Sequence, residues 1–272
     1  MPVYEFLGTN QQVERMTTQM VLTALPDIPL IQAGDDLVTI IETGLKRADI
    51  ALEQGDVLVI AQKIVSKAEG RMVNLDTVQP SQGAQRWANE THKDPRLLEL
   101  ILRESSQVLR TRPGLIIVEH RLGFVCANAG IDRSNVASHD ETTEEWVLLL
   151  PKAPDQTAEE IRQAFERKYG VKIGVLIIDS HGRAWRMGTA GVAIGVAGFP
   201  ALMDLRGEPD LFGNLLQVTQ VGLADEMAGA ASLLMGQADE ARPVIHARGL
   251  PYELREGSLP EILRPREDDL FR

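Results

Sequence analysis

Leu115-Ile-Ile-Val118-Glu-His-Arg121-Leu-Gly-Phe124-Val-Cys-Ala127 is the stretch that decides the fold class. Two short apolar runs, Leu115–Val118 and Phe124–Ala127, flank Arg121-Leu-Gly123, and this pattern predicts a β-hairpin. With irregular spacing of the elements around it, the hairpin predicts an α+β fold and not strict βαβ winding. The expected architecture is mixed, largely antiparallel sheets with flanking helices, in two intertwined lobes. Downstream, the second run breaks abruptly into Asn128, Gly130, Asp132, Ser134 and Asn135. A turn needs one or two such residues, typically Gly plus Asn or Asp. An acid, two amides and a hydroxyl this close together suit oxygen ligands for a hard cation and its bound phosphates. The same grammar recurs at Val175-Leu-Ile-Ile-Asp-Ser-His-Gly-Arg183, where an apolar strand is read as ending in an acid, a hydroxyl, a glycine and an arginine.

Further from the hairpin, Asp35-Asp36 precede Leu37, Ile40, Ile41, Leu45 and Ala48, which predicts an N-capped amphipathic helix. Gly55-Asp56 turn into a buried strand, Val57–Ala61, leading into Gln62 to Arg71. Residues 82–110 read as one or two helices, the second starting at Pro95. Trp146–Leu150 and 172–179 read as strands, and Thr157–Tyr169 as a helix closed by Gly170. A small-residue strand, Val192–Ala197, a helix over 219–235 and a strand over Pro243–Ala247 follow. Residues 1–17 read as a polar N-terminal extension, and 18–272 as a single catalytic unit of up to two lobes.

The 272 residues carry 28 basic and 39 acidic side chains, a formal charge of -11. That balance disfavours a nucleic-acid or anionic-membrane surface, which wants clustered Lys and Arg. Local lysines, arginines or metals must reverse the sign wherever a polyanion binds. One cysteine, Cys126, excludes an intrachain disulfide and fits a cytoplasmic setting. No window approaches the ~20 apolar residues of a membrane span.

Each chemical motif has a plain structural alternative. Asp132 with Asn135 is either a cation site or an Asx turn, and Asp179 with Ser180 either ligands or a cap. Two such acids together favour Mg²⁺ or Mn²⁺, held by few carboxylates and completed by phosphate oxygens. The scattered histidines and lone cysteine argue against zinc. Lys67, beside Ser66 and before Glu69-Gly70-Arg71, is either an anion contact or a solvated loop lysine. Arg71 and Arg183 are candidate contacts to a carboxylate or phosphate substrate. Gly188, Gly191, Gly195 and Gly198 do not fit G-x-G-x-x-G, so close strand packing is their expected role, and no P-loop is present. Cys126, within an apolar run, is expected to be a buried structural thiol.

Taken in order, these pieces resemble the coenzyme F-420-0:L-glutamate ligase (gamma-glutamyl ligase) family. The resemblance runs through Ile28-Pro-Leu-Ile, Gly34-Asp-Asp-Leu37, Gly55-Asp-Val-Leu-Val, Ile64-Val-Ser-Lys-Ala-Glu-Gly-Arg71 and Asn128-Ala-Gly-Ile-Asp-Arg-Ser-Asn135. It continues through Leu148-Leu-Leu-Pro151, Ile178-Asp-Ser-His-Gly-Arg183, Gly195, Ala224-Asp-Glu226 and Leu233-Leu-Met-Gly-Gln237, spanning roughly 24–260. It implies an α+β fold that assembles as an intertwined homodimer. The implied reaction uses GTP and a divalent cation to join L-glutamate to F-420-0, releasing GDP and phosphate. Carried over, it makes Asp132, Asp179, Ser180 and Gln237 residues of a site for two Mg²⁺ or Mn²⁺ ions, with K⁺ as a further cation. Pro26, Asp27, Ile28, Pro29, Lys67, Asn135, Met235 and Gly236 become GTP contacts. Ser180 stands where a threonine is common, and Gln62-Lys63 where small hydroxyl residues can contact the nucleotide. The fused flavin-binding domain of some bacterial relatives is not expected here.

Two other classes remain open from the residues themselves. A metal-dependent phosphohydrolase would use the same acids to activate water. In a non-catalytic nucleotide-binding protein, the acids would only shape turns.

Overall fold

The computed structural model describes residues 18–134, 136 and 145–270, so the 1–17 extension and Asn135 lie outside the described residues. In chain order the elements are β1 (Val21–Ala24), α1 (Leu37–Arg47), β2 (Val57–Ala61), α2 (Gln62–Ala68), β3 (Met72–Asn74), α3 (Gln82–Thr91) and α4 (Pro95–Arg103). Then come β4 (Ser105–Arg112), β5 (Leu115–His120), β6 (Val125–Ala127), β7 (Trp146–Leu148) and α5 (Pro154–Tyr169). The chain continues through β8 (Gly174–Arg183), β9 (Arg186–Ala197), β10 (Met203–Asp204), β11 (Gln220–Val221), α6 (Leu223–Met235) and β12 (Val244–Arg248).

The main sheet runs β1-β12-β2-β8-β9, in which only β2 and β8 are parallel. β4-β5-β6 form a three-stranded antiparallel sheet, and β3-β7 and β10-β11 are antiparallel pairs. The α+β expectation holds, and so does the hairpin, with Val118 opposite Cys126.

β2 is apolar at every position because both of its faces are covered. Leu58 and Ile60, with Val175 and Ile177 of β8, pack under α1 and α5 against Ile41, Leu45, Ile161 and Phe165. Val57 and Val59, with Leu176 and Ile178, face Ala224, Met227, Ala228 and Ala231 of α6 on the other side. A separate core joins Leu98 and Ile101 of α4 to Ile116 and Val118 of β5 and Val147 of β7. The chain therefore leaves the main sheet after α2, builds this smaller lobe, and returns at α5.

Local chemistry explains the element ends. Asp36 caps α1 by accepting from the Val38 and Thr39 amides at 3.0 and 3.3 Å, and Lys46 and Arg47 occupy the last turn. Gly170, at φ 71°, ends α5 as expected.

Four expectations are corrected. Residues 105–110 are strand, not helix: Pro113-Gly114, with Gly114 at φ 82°, turns β4 back onto β5. Lys67 stands on the short helix α2 and not in a loop. β8 does not stop near 179; pairing with β9 carries it to Arg183, so Asp179 and Ser180 lie mid-strand opposite Val192 and Gly191. α6 begins at Leu223, because Gln220-Val221 pair with β10.

Asp56, 1% exposed, locks β12 to the start of β2. Its carboxylate accepts from the Glu53 amide at 2.9 Å, from Arg248 Nε at 2.8 Å and from Arg248 Nη2 at 2.7 Å. His246 Nε2 approaches it at 2.8 Å. Burial acts to raise this carboxyl, but the Arg248 and His246 partners outweigh burial and hold it well below the ordinary carboxylate value. A folded-state value below the unfolded ~3.9 contributes stability above about pH 4 and loses it as pH falls. Asp56→Asn should therefore cost on the order of 3 kcal/mol at pH 7, since it removes the charge from a buried carboxylate that Arg248 holds with two hydrogen bonds. Urea unfolding across pH should show the gap between variant and wild type closing below about pH 4.

Candidate functional site

β2 passes directly into α2, whose first residue follows Ala61 with no side-chain cap. The helix buries Gln62 and Ser66, which bond to each other at 2.8 Å. This orientation sets Lys63 and Lys67, four residues apart, on one face. Opposite them lies Asp132, fixed by a backbone bridge to Leu148 with hydrogen bonds of 3.0 and 2.9 Å. The preceding turn is left-handed at Asn128, Ala129 and Gly130 (φ 53°, 54° and 65°). A Cβ on Gly130 would meet Leu150 Cδ1 at 2.5 Å, so only glycine fits there.

The two oxygens of Asp132 do different work. Oδ1 accepts from the Ser134 amide and hydroxyl at 2.7 and 2.8 Å, the Asx turn that the spacing allowed. Oδ2 pairs with Lys63 Nζ at 2.8 Å. Lys63 Nζ also donates to Ser134 Oγ at 2.8 Å and to the Ser134 carbonyl at 3.2 Å. Burial acts to raise the Asp132 carboxyl, but Lys63 and the Ser134 donors hold it below its ordinary value. Burial, and then the Lys63 charge, lower Lys67, while Asp132 pulls it back up.

Asp179 and His181 share one face of β8, as alternate residues of a strand do. Their side chains meet at 3.0 Å, Asp179 Oδ2 to His181 Nε2. The His181 ring lies against Phe124 at 5.3 Å, and Phe124 stacks on His120 at 5.2 Å. Burial brings His120 down to about 4, so its ring is neutral, and its Nδ1 accepts from the Leu122 amide at 3.0 Å. On α6, Asp225 accepts from the Ala193 amide at 2.9 Å; burial raises its carboxyl, and nearby His181 opposes that rise. His181 and Asp225 were not singled out from sequence. The available signals were the Asp179-x-His181 alternation and the acidic pair Asp225-Glu226 at a helix start.

The GTP candidates Pro26, Asp27 and Ile28 face Glu240, Ala241 and Arg242 across a cleft of about 390 Å³, a few residues beyond Met235 and Gly236. Pro29 is exposed beside them. Gly236, at φ 75°, ends α6, and Gln237 Nε2 donates to Ser232 Oγ at 3.3 Å. Ser180 projects from the face of β8 opposite Asp179. Arg183 is exposed at the tip of the β8–β9 hairpin. Arg71 is engaged within the fold, donating from Nε to the Leu150 carbonyl at 2.9 Å and from Nη2 to buried Glu104 at 2.8 Å.

Among the described residues, no three His, Cys, Asp or Glu side chains converge as a metal site. The donors present are nonetheless oxygens, and the Asp132–Ser134 oxygens already surround a cation, the Lys63 ammonium. Such a donor set fits a hard divalent ion better than zinc.

The F420-0:Gamma-glutamyl ligase family model matches residues 27–249, and the chain belongs to that family. It is 46% identical over 253 residues to the Coenzyme F420:L-glutamate ligase of Methanothermobacter thermautotrophicus, covering 92% of this chain and 98% of that one. The protein of the same name from Methanopyrus kandleri is 45% identical over 246 residues, covering 89% and 93%. That from Archaeoglobus fulgidus is 41% identical over 246 residues, covering 90% and 93%. Among the described residues, no helix is long and apolar enough to cross a membrane.

Cys126, buried on β6, is pushed up to about 12, first by burial and then by the Asp179 charge. Such a thiol is inert. In the native protein it should resist Ellman's reagent at pH 8 and react only on unfolding, and Cys126→Ala should keep full activity.

Proposed function

We propose that this chain is a GTP-dependent ligase that adds L-glutamate to F420-0 in deazaflavin cofactor biosynthesis. The observation that carries the reading is family membership over 27–249, with relatives named as this ligase matched along nearly their whole length. The α2 lysines facing Asp132 support it, because they give a chain of net charge -11 a cationic spot for phosphates.

The reaction must activate an unreactive carboxylate. A carboxylate oxygen of F420-0 attacks the γ-phosphorus of GTP, the bond to the β-phosphate oxygen breaks, and GDP leaves with that electron pair. The glutamate amine then attacks the acyl phosphate carbonyl, forming the amide and expelling phosphate as the amine proton is lost. Lys67 would hold a phosphate oxygen as a point charge. Pro26, Asp27, Ile28, Pro29, Asn135, Met235 and Gly236 would line the nucleotide, and the 390 Å³ cleft beside Pro26–Ile28 favours that placement. Arg183, exposed and unburied, would meet a substrate carboxylate. Asp132, Asp179, Ser180 and Gln237 would hold two Mg²⁺ or Mn²⁺ ions, with K⁺ as a further cation. Such ions offset charge on the transferring phosphoryl group. Exposed Trp185, Met187, Leu211 and Phe212 favour association with a second copy, and a cytoplasmic homodimer is the proposed form.

Mass spectrometry of F420-0 incubated with protein, GTP, glutamate and Mn²⁺ should show product heavier by glutamate residues, with GDP and phosphate released. GTP cleavage without glutamate or deazaflavin would instead identify a phosphohydrolase. Unchanged deazaflavin mass with folded protein would overturn the ligase. Asp132→Asn and Asp179→Asn should each lower turnover at least ~10²-fold with little loss of folding.

Lys67→Ala should raise the KM for GTP more than that for glutamate, and Lys67→Arg should rescue only partly. Unaltered constants for both substrates would remove Lys67 from the nucleotide site.

A further inference from the structure

Lys63 takes no step in the reaction written above, yet its ammonium is held by three oxygens of Asp132 and Ser134. Its ammonium sits 2.8 Å from Asp132 Oδ2, 2.8 Å from Ser134 Oγ and 3.2 Å from the Ser134 carbonyl. These are a carboxylate, a hydroxyl and a peptide oxygen, the donor types that hard cations take. Lysine reaches them from a different element, across the joint between the two lobes, because α2 turns its Lys63–Lys67 face toward the loop after β6. The pair is partly shielded, with side chains 29% and 25% exposed. A solvated surface lysine would make no such three-oxygen contact.

Asp132 Oδ2 cannot serve an ammonium and a divalent ion together at full strength. Oδ1 is already committed to the Ser134 turn, so a cation that takes Asp132 as ligand must compete with Lys63 for Oδ2. The displaced ammonium, on a four-carbon stem, stays within reach of whatever anion Lys67 faces one helical turn away.

We propose that Lys63 is a built-in counter-cation of the Asp132 position, held in its oxygen cage until a divalent ion displaces it and then released toward the nucleotide phosphates beside Lys67. This rests on the reading of Asp132 as a metal ligand. Two consequences follow. Metal alone binds more weakly than the oxygen set would allow, because it must break the ion pair. Nucleotide and metal bind cooperatively, because the released ammonium gains a phosphate partner.

The test is Mn²⁺ binding to the full-length chain, read by electron paramagnetic resonance of free Mn²⁺, with and without GDP. Lys63→Met should bind Mn²⁺ alone roughly two- to fivefold more tightly than wild type. It should also lose most of the tightening that GDP confers on Mn²⁺. Lys63→Gln, which keeps polarity and most of the length, stands in if the Met variant does not fold, as judged by its thermal midpoint. Mn²⁺ affinity unchanged or weakened in these variants, while Asp132→Asn loses binding, would overturn the counter-cation and leave Asp132 a ligand. If Asp132→Asn binds Mn²⁺ like wild type, Asp132 is not a ligand and the proposal falls with that reading.

Discussion

The arrangement of the molecule depends on how closely β9 lies against α5 and α6. A Cβ on Gly191 would come within 2.4 Å of the Ala228 carbonyl, and one on Gly195 within 2.7 Å of the Pro154 backbone. At Gly198 it would meet Arg162 Cδ at 2.4 Å. Helix and strand backbones touch where a side chain would hold them apart. β9 is also an edge strand, and its outward amides need partners that no further strand provides. Both helices supply one from the first turn: Asp155 of α5 accepts from the Val196 amide at 2.7 Å, and Asp225 of α6 from the Ala193 amide at 2.9 Å. Close approach and carboxylate capping are one device used twice. It seats α6 so that Asp225 faces the His181 side of β8.

Much of this was legible from residues alone, wherever burial and local chemistry agree. β2 reads correctly because both its faces are dry, and α1 because its cap and apolar stripe coincide. The glycines in and just after β9 were expected to mark close packing, and Gly191, Gly195 and Gly198 do; Gly188, at φ 79° with open space around it, marks backbone conformation instead. Misreadings fell where tertiary pairing overrides local pattern. The outer half of β8, Asp179 to Arg183, is polar and looks like a strand end, yet cross-strand bonds to β9 extend it. β4 is too exposed to display clean alternation, so the helical run of α4 seemed to continue into it. α2 spans too few residues to show a period at all.

The site divides along the same line. Lys67 and Asp132 stood out because their neighbours in sequence are unusual. Lys63 entered only through the resemblance, as a departure at a nucleotide-contact position, since its pairing with Ser134 lies 71 residues away. His181 likewise takes its character from Phe124 and Asp225, both remote in the chain. A search for unusual neighbourhoods finds the ligands of a site more readily than the residues that hold or compete for them.

An Asx turn at Asp132 does not exclude a ligand role for the same carboxylate. The Ser134 amide and hydroxyl bind Oδ1 and fix the carboxylate plane, while the Leu148 bridge fixes its backbone. Both contacts leave Oδ2 pointing at Lys63, its ion-pair partner among the described residues. An oxygen oriented in advance loses little freedom on taking a cation, as Oδ2 does with the Lys63 ammonium. The left-handed run at Asn128, Ala129 and Gly130 has the same logic. Two of those conformations are costly for residues with a Cβ, and the buried Asn128 Oδ1 has no hydrogen-bond partner among the described residues. The Asp132–Leu148 bridge holds the turn in place, and the turn sets the direction from which Asp132 meets α2. The local irregularity of the segment and its ability to present a charged oxygen to a cation have the same cause.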